Sequence, residues 1–163
     1  MTAISANDAR TQIVQLLSDT IYEALGLKES LEDETRALES QDLDGMSSAI
    51  DSKSASVASL QVLDKKRATL CAAWGFKPGP DQMQELIDWC DDSELISNRW
   101  QHLMIIAAES STLNMTNGAI IRVRQQQFES SLSVIRGVTP GSDTYGRHGA
   151  ESGDLGRQSL AEA

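Results

Sequence analysis

The stretch Leu113-Asn114-Met115-Thr116-Asn117-Gly118-Ala119-Ile120-Ile121 decides how this chain is read, because it sets two asparagines and a glycine among apolar residues that keep a helical phase. Asn-Gly between hydrophobic runs ordinarily signals a tight hairpin. Here the flanks lack strand alternation. At about 100° per residue, Leu103, Ile106, Leu113, Ile120, Ile121, Phe128, Leu132 and Ile135 stay in one sector straight through Gly118. The segment therefore reads as one continuous helix from about Glu94 to Arg136, with Gly137 as its terminator. Asn114 and Asn117 fall inside its apolar sector. An amide in a helical seam fixes register or partner choice at a cost in stability, and its donors and acceptor must be matched. The alternative is that these two amides hold a partner's backbone or cap a local break at Gly118, where a small residue permits close helix approach.

Working outward, Asn7 or Asp8 can cap a first helix in which Ile13, Leu17, Thr20, Ala24, Leu27, Leu31, Glu34 and Leu38 step by four and three. That seam runs to about Ser40. Gln41-Asp42-Leu43-Asp44-Gly45 supplies the first break. A second seam follows through Met46, Ile50, Lys53, Val57, Leu60, Asp64, Arg67, Cys71 and Trp74, with a polar early part, Ser47 to Ser59, that predicts thin packing. Gly75-Phe76-Lys77-Pro78-Gly79-Pro80 ends it. Asp81 then opens a short helix carrying Met83, Leu86, Ile87 and Cys90, and Asp91-Asp92-Ser93 caps the last one. Long helices joined by short connections bury their stripes against one another. The expected fold is all-α: an antiparallel up-down-up bundle of three long helices with coiled-coil-like packing and one short helix before the last, over residues 1–136. A parallel dimer of coiled coils is the competing architecture. Residues 137–163 hold six of the eleven glycines and few large apolar residues, which predicts a flexible Gly-rich C-terminal tail. Within it, Tyr145 is an aromatic in polar surroundings, a docking anchor or a side chain that folds back on the bundle.

The net charge of −10 disfavours nucleic acid and anionic membrane surfaces as partners. No apolar run approaches the ~20 residues of a spanning helix, and Met1 to Arg10 lacks the regions of a signal peptide, so the expected compartment is the cytoplasm. Cys71 and Cys90 lack metal-type spacing and are read as reduced packing residues. His102 and His148 are the only histidines, and His148 lies in the tail, so a shared metal site is not expected. Nucleophile elbow, phosphate-binding loop and Glu-x-x-His pair are all missing, and no enzyme activity, cofactor or metal is expected.

Several of these residues together carry a resemblance. The heptad Leu27-x3-Leu31-Glu32-x-Glu34-x3-Leu38, the acidic turn at Asp42, Lys53 and Arg67 on the second seam, Leu113-Asn114-x2-Asn117-Gly118-x-Ile120-Ile121 and Tyr145-Gly146-x2-Gly149 follow in order over nearly the whole chain. In this the chain resembles the FlgN family of flagellar export chaperones. The resemblance implies a cytosolic chaperone that binds hook-associated (hook-filament junction) proteins of the FlgK and FlgL type and delivers them to the flagellar type III export apparatus. Residues Glu151 to Ala163 match no part of that pattern.

A client whose terminal segments become helical only on assembly exposes amphipathic faces beforehand, and a helical bundle with a spare groove can cover them. Candidate partner-binding residues are Ile105, Val123 and Val134 on a second, sparser line of the last helix, together with Phe128, Leu132 and Ile135. These last three are equally placed to be ordinary bundle core. Asn114 and Asn117 join them as candidates, and Tyr145 is the candidate element for docking at the export apparatus, by resemblance. The alternative function is a structural coiled-coil adaptor that self-associates, a possible homo-oligomer.

Overall fold

The computed structural model describes residues 5–79, 81–91 and 93–137. It contains four helices, α1 (Ala6–Ser40), α2 (Leu43–Ala73), α3 (Gln82–Cys90) and α4 (Leu95–Ile135), with no strand among the described residues. The expected tail lies outside the described residues apart from Gly137, as do Tyr145 and His148. The chain divides into two compact units, Met1–Val123 and Arg124–Ala163.

The helix ends follow local chemistry. Ser5, not Asn7 or Asp8, caps α1: its Oγ accepts from the Asp8 amide at 3.2 Å and donates to the Asp8 carboxylate at 2.8 Å. A carboxylate in the first turn also complements the helix dipole. At the other end Gln41 adopts a left-handed φ of 59° and its amide donates to the Ala37 and Leu38 carbonyls. Asp42 then caps α2 at once, its Oδ1 accepting from the Gly45 amide at 3.0 Å. The expected five-residue break thus contracts to Gln41 and Asp42, and Gly45 belongs to the first turn of α2. A Cβ at position 45 would stand 2.5 Å from Asp42 Oδ2, so the cap requires glycine there.

Cross-helix contacts fix the topology of the first unit. Along α1 and α4, Arg10 meets Ser93, Lys28 meets Glu109 and Thr35 meets Asn117. Sequence separations of 81 to 83 throughout mean that these two helices run parallel. Glu34 meets Lys53 while Gly26 lies beside Ser56, so α2 runs against α1. This is the expected up-down-up order. The apolar core gathers at the end where α1 begins, with Ile13, Leu16 and Leu17 packed among Cys71 of α2, Met83, Leu86, Ile87 and Cys90 of α3, and Ile96, Leu103 and Ile106 of α4. Full burial of each such aliphatic side chain contributes about 1.5–3 kcal/mol. Phe76 and Trp89 meet edge to face at 5.6 Å and hold the connecting loop against α3. Both cysteines are buried and unbridged.

Packing thins away from that core. On α2 only Ala49 and Cys71 are buried, in keeping with its polar early seam. In the second unit, Phe128 and Ile135 are 66% and 80% exposed and Leu132 is half-buried, so the α4 stripe does not continue as core. Within the first unit, a separation of 82 brings Ser40, the last residue of α1, level with Arg122.

Candidate functional site

Two features of the first unit stand out, a buried polar network and an open groove beside it. Asn117 is 1% exposed, and its Nδ2 donates to the Leu31 carbonyl and to Glu34 Oε2, both at 2.9 Å. Its Oδ1 accepts from the Thr35 hydroxyl at 2.7 Å. Glu34, itself buried, turns its other oxygen to Lys53 Nζ at 2.7 Å. One amide, one carboxylate and one ammonium therefore join α4, α1 and α2. Each group sits on the seam position that the heptad spacing assigns to it, and the bonds can form in one register only. A buried ion pair stabilises little in net terms, but its geometry excludes shifted alignments in which Glu34 would be buried without a partner.

Between this network and the apolar core, a groove of about 760 Å3 opens between α2 and α4 with α1 as its floor. Leu16, Leu17, Leu27 and Leu31 of α1 form the floor, Val57, Ala58 and Leu60 one wall, and Trp100, Leu103 and Ala107 the other. The charged residues on its α2 wall are already engaged. Lys53 holds Glu34, while Arg67 pairs with Asp64 at 2.9 Å and donates to Gln82 Oε1 at 2.9 Å. On the α4 wall Ser110, 6% exposed, is buried with no partner for its Oγ among the described residues. An unsatisfied buried hydroxyl costs about 1–3 kcal/mol.

At the groove's two ends the helices are tied by polar contacts. Lys28 Nζ donates to Glu109 at 2.7 Å, which holds the Lys28 amine above its ordinary pKa. Asp91 Oδ2 accepts from the Ser97 amide at 2.8 Å and anchors the start of α4, and Arg99 donates to the Ser18 hydroxyl. Burial pushes the Cys71 thiol up from its ordinary value against the opposing pull of Arg67, which leaves it a poor nucleophile.

The sequence candidates are placed as follows. Asn117 is inside, with its amide engaged within the bundle, whereas Asn114 is exposed and lines the end of the groove. Gly118 permits no close approach: a Cβ there would meet only an Arg122 guanidinium nitrogen, at 4.0 Å. Ile105 and Val123 are exposed on α4 in the first unit, and Phe128, Val134 and Ile135 are exposed in the second, with Leu132 half-buried. Tyr145 lies outside the described residues. The sequence reading invokes a spare groove without placing it, because it follows periodicity along a helix and not spacing between helices. A signal was available in the small residues that face each other across it, Ser54 and Ala58 on α2 and Ala107, Ser110 and Ser111 on α4.

Among the described residues no group of three or more His, Cys, Asp or Glu could hold a metal ion, and no helix is long and apolar enough to cross a membrane. A family model described as FlgN protein matches residues 9–153. No curated protein and no solved structure matches the chain.

Proposed function

The chain belongs to the FlgN family, the flagellar export chaperones, and from that premise we propose that it binds the helical terminal regions of hook-associated proteins in the cytoplasm, keeps them from assembling early and delivers them to the export apparatus. The observation that carries this reading is the open apolar groove of about 760 Å3 whose floor and walls are seam residues of three helices. In a closed bundle such residues face each other. Here they are left for a further helix, and an amphipathic segment with anchors at i, i+3, i+4 and i+7 fits that need without any catalytic group. The function is binding alone, without cofactor or metal. Asn114 at the groove's end and the exposed Ile105 and Val123 are candidate contacts in the first unit. Phe128, Leu132, Val134 and Ile135 are separate candidates in the second, and Tyr145 is the proposed docking residue for the export apparatus.

Calorimetric titration with full-length hook-associated proteins, with light-scattering masses of the free protein and the mixture, tests this. A one-to-one complex with a large negative heat-capacity change supports helix burial in the groove. A second reading, a self-associating adaptor, draws on the exposed Met104, Ile105, Met115 and Val123 of α4. A stable homo-oligomer that gives no heat with any hook-associated protein selects it.

A further inference from the structure

The unpaired hydroxyl of Ser110 says something about the helix that the groove receives. Other hydroxyls on the same helix satisfy themselves: Thr112 and Thr116 donate to the carbonyls of Ala108 and Thr112 one turn back, at 3.1 and 3.0 Å. On the facing helix Ser18 and Thr20 do the same, at 2.7 Å each. Ser110 does not, although it is buried and lines the groove. One turn further along the same wall stands the exposed amide of Asn114. Ser110, Ser111 and Asn114 therefore mark one end of a wall that is otherwise largely apolar, and Ser110 and Asn114, four residues apart, stand one above the other on the helix face.

Resting on the chaperone reading above, we propose that the client helix carries a side-chain amide, Asn or Gln, inside its apolar stripe, at the turn that lies against Ser110 and Asn114. An amide both donates and accepts, so one residue can bond a hydroxyl and a second amide together. A charged residue is excluded at that point. The walls contributed by α1 and α4 carry no charge, and the cations of the α2 wall already hold Glu34 and Asp64, so an ionised group there would be buried without a counter-charge. From Leu16 to Leu31 the floor is about 22 Å long at 1.5 Å per residue, room for roughly four turns of client helix. Apolar anchors cover Leu17, Thr20 and Ala24. The amide stands at the end near Leu31 and selects among amphipathic helices that apolar contact alone would accept equally.

The test is a double-mutant cycle by calorimetry on the full chain. The probes are synthetic peptides covering the terminal helices of the hook-associated proteins, each stripe Asn or Gln replaced in turn by Leu. Ser110→Ala removes no bond within the bundle, so its urea midpoint should not fall. It should weaken the unaltered peptide by about five- to tenfold, the range of one neutral hydrogen bond. For one peptide position the Leu substitution should cost a similar factor, and the two changes together no more than either alone. Independent effects at every amide position overturn the inference while leaving client binding intact. Ala107→Trp, at an exposed position of the α4 wall, should block the groove and abolish peptide binding with helicity retained; undiminished binding would place the client elsewhere and also overturn it. Absence of binding to the unaltered chain by peptides and full-length proteins alike is a different result, since it removes the chaperone reading itself.

Discussion

Replacing Asn117 separates the two costs that its burial combines. In Asn117→Leu, Glu34 Oε2 loses the donor now at 2.9 Å while remaining buried, a loss of about 1.5–3 kcal/mol for a bond to a charged group. The bonds to the Leu31 carbonyl and from Thr35 weigh less, together about 1 kcal/mol, because Thr35 keeps its own bond to Leu31. Leucine returns about 1.5–3 kcal/mol of apolar burial at the same site. The net is a destabilisation of about 1 kcal/mol. Asn117→Ala forgoes that return and should cost about 3 kcal/mol. Replacing the whole network, as Glu34→Met, Lys53→Met and Asn117→Leu together, removes the buried carboxylate that made the single change costly. That variant should match or exceed the native stability, by up to about 4 kcal/mol. Urea denaturation followed by circular dichroism reads all three, and with a slope of about 1–3 kcal/mol per molar the single Leu variant should shift its midpoint down by roughly 0.3–1 M. An Asn117→Leu protein more stable than the native chain, or a triple variant less stable than the Leu single, would refute the account of Glu34 as the group that Asn117 serves.

Further expectations follow from the caps, the titrating groups and the cysteine. Gly45→Ala should lower stability by about 1 kcal/mol, since its Cβ would displace the Asp42 carboxylate from the α2 cap. Gly118→Ala, with open space at the Cβ, should raise it by about 0.5–1 kcal/mol, and the two urea midpoints should move in opposite directions. Stability should fall as pH rises above about 9. The Lys28 amine is held above its ordinary 10.5, so the stability from its bond to Glu109 is complete below that value and lost as pH climbs through the folded one. Cys71 acts in the same direction, because the unfolded thiol ionises near 9.0 while burial keeps the folded one protonated. Midpoints measured from pH 7 to 11 should decline, and Cys71→Ala should flatten the first part of that decline. Native protein should react slowly with a thiol reagent at Cys71 and rapidly in urea, since the side chain is wholly buried; equal rates would contradict the packing of α2 on α3.

The helices were legible because their apolar spacing is set within each helix. α1 ends at Ser40 as its seam predicts, and α4 passes through Asn-Gly without interruption. The caps were less so. Ser5, Asn7 and Asp8 are all capping types, and only the structure shows that the Ser5 hydroxyl meets the Asp8 amide. Asn114 and Asn117 share one apolar sector on a helical wheel, yet they differ by about 60° there. That difference decides that one is buried against α1 and the other lines the groove. Nor could a period distinguish Leu103, which packs in the core of the first unit, from Phe128, which is exposed in the second, since both keep the same helical phase.

The groove stays open because the bundle is held at its two ends by different means. At one end α3 brings Met83, Leu86 and Ile87 into the space near Ile13 and Leu16, where α2 and α4 would otherwise close on each other. At the other, the Asn117–Glu34–Lys53 network holds both helices through side chains of fixed reach. Between these ties the small residues Ser54 and Ala58 on α2 and Ala107, Ser110 and Ser111 on α4 alternate with Val57, Leu60, Trp100 and Leu103, and closure would pull the polar bonds apart. A polar tie suits this purpose better than an apolar one. Leucines in place of Glu34, Lys53 and Asn117 would pack in several registers and let α2 collapse toward α4, so the stabilised triple variant should gain stability and lose client affinity together. Retained affinity in that variant would show that the groove's opening does not depend on the network, and the α3 wedge alone would have to account for it.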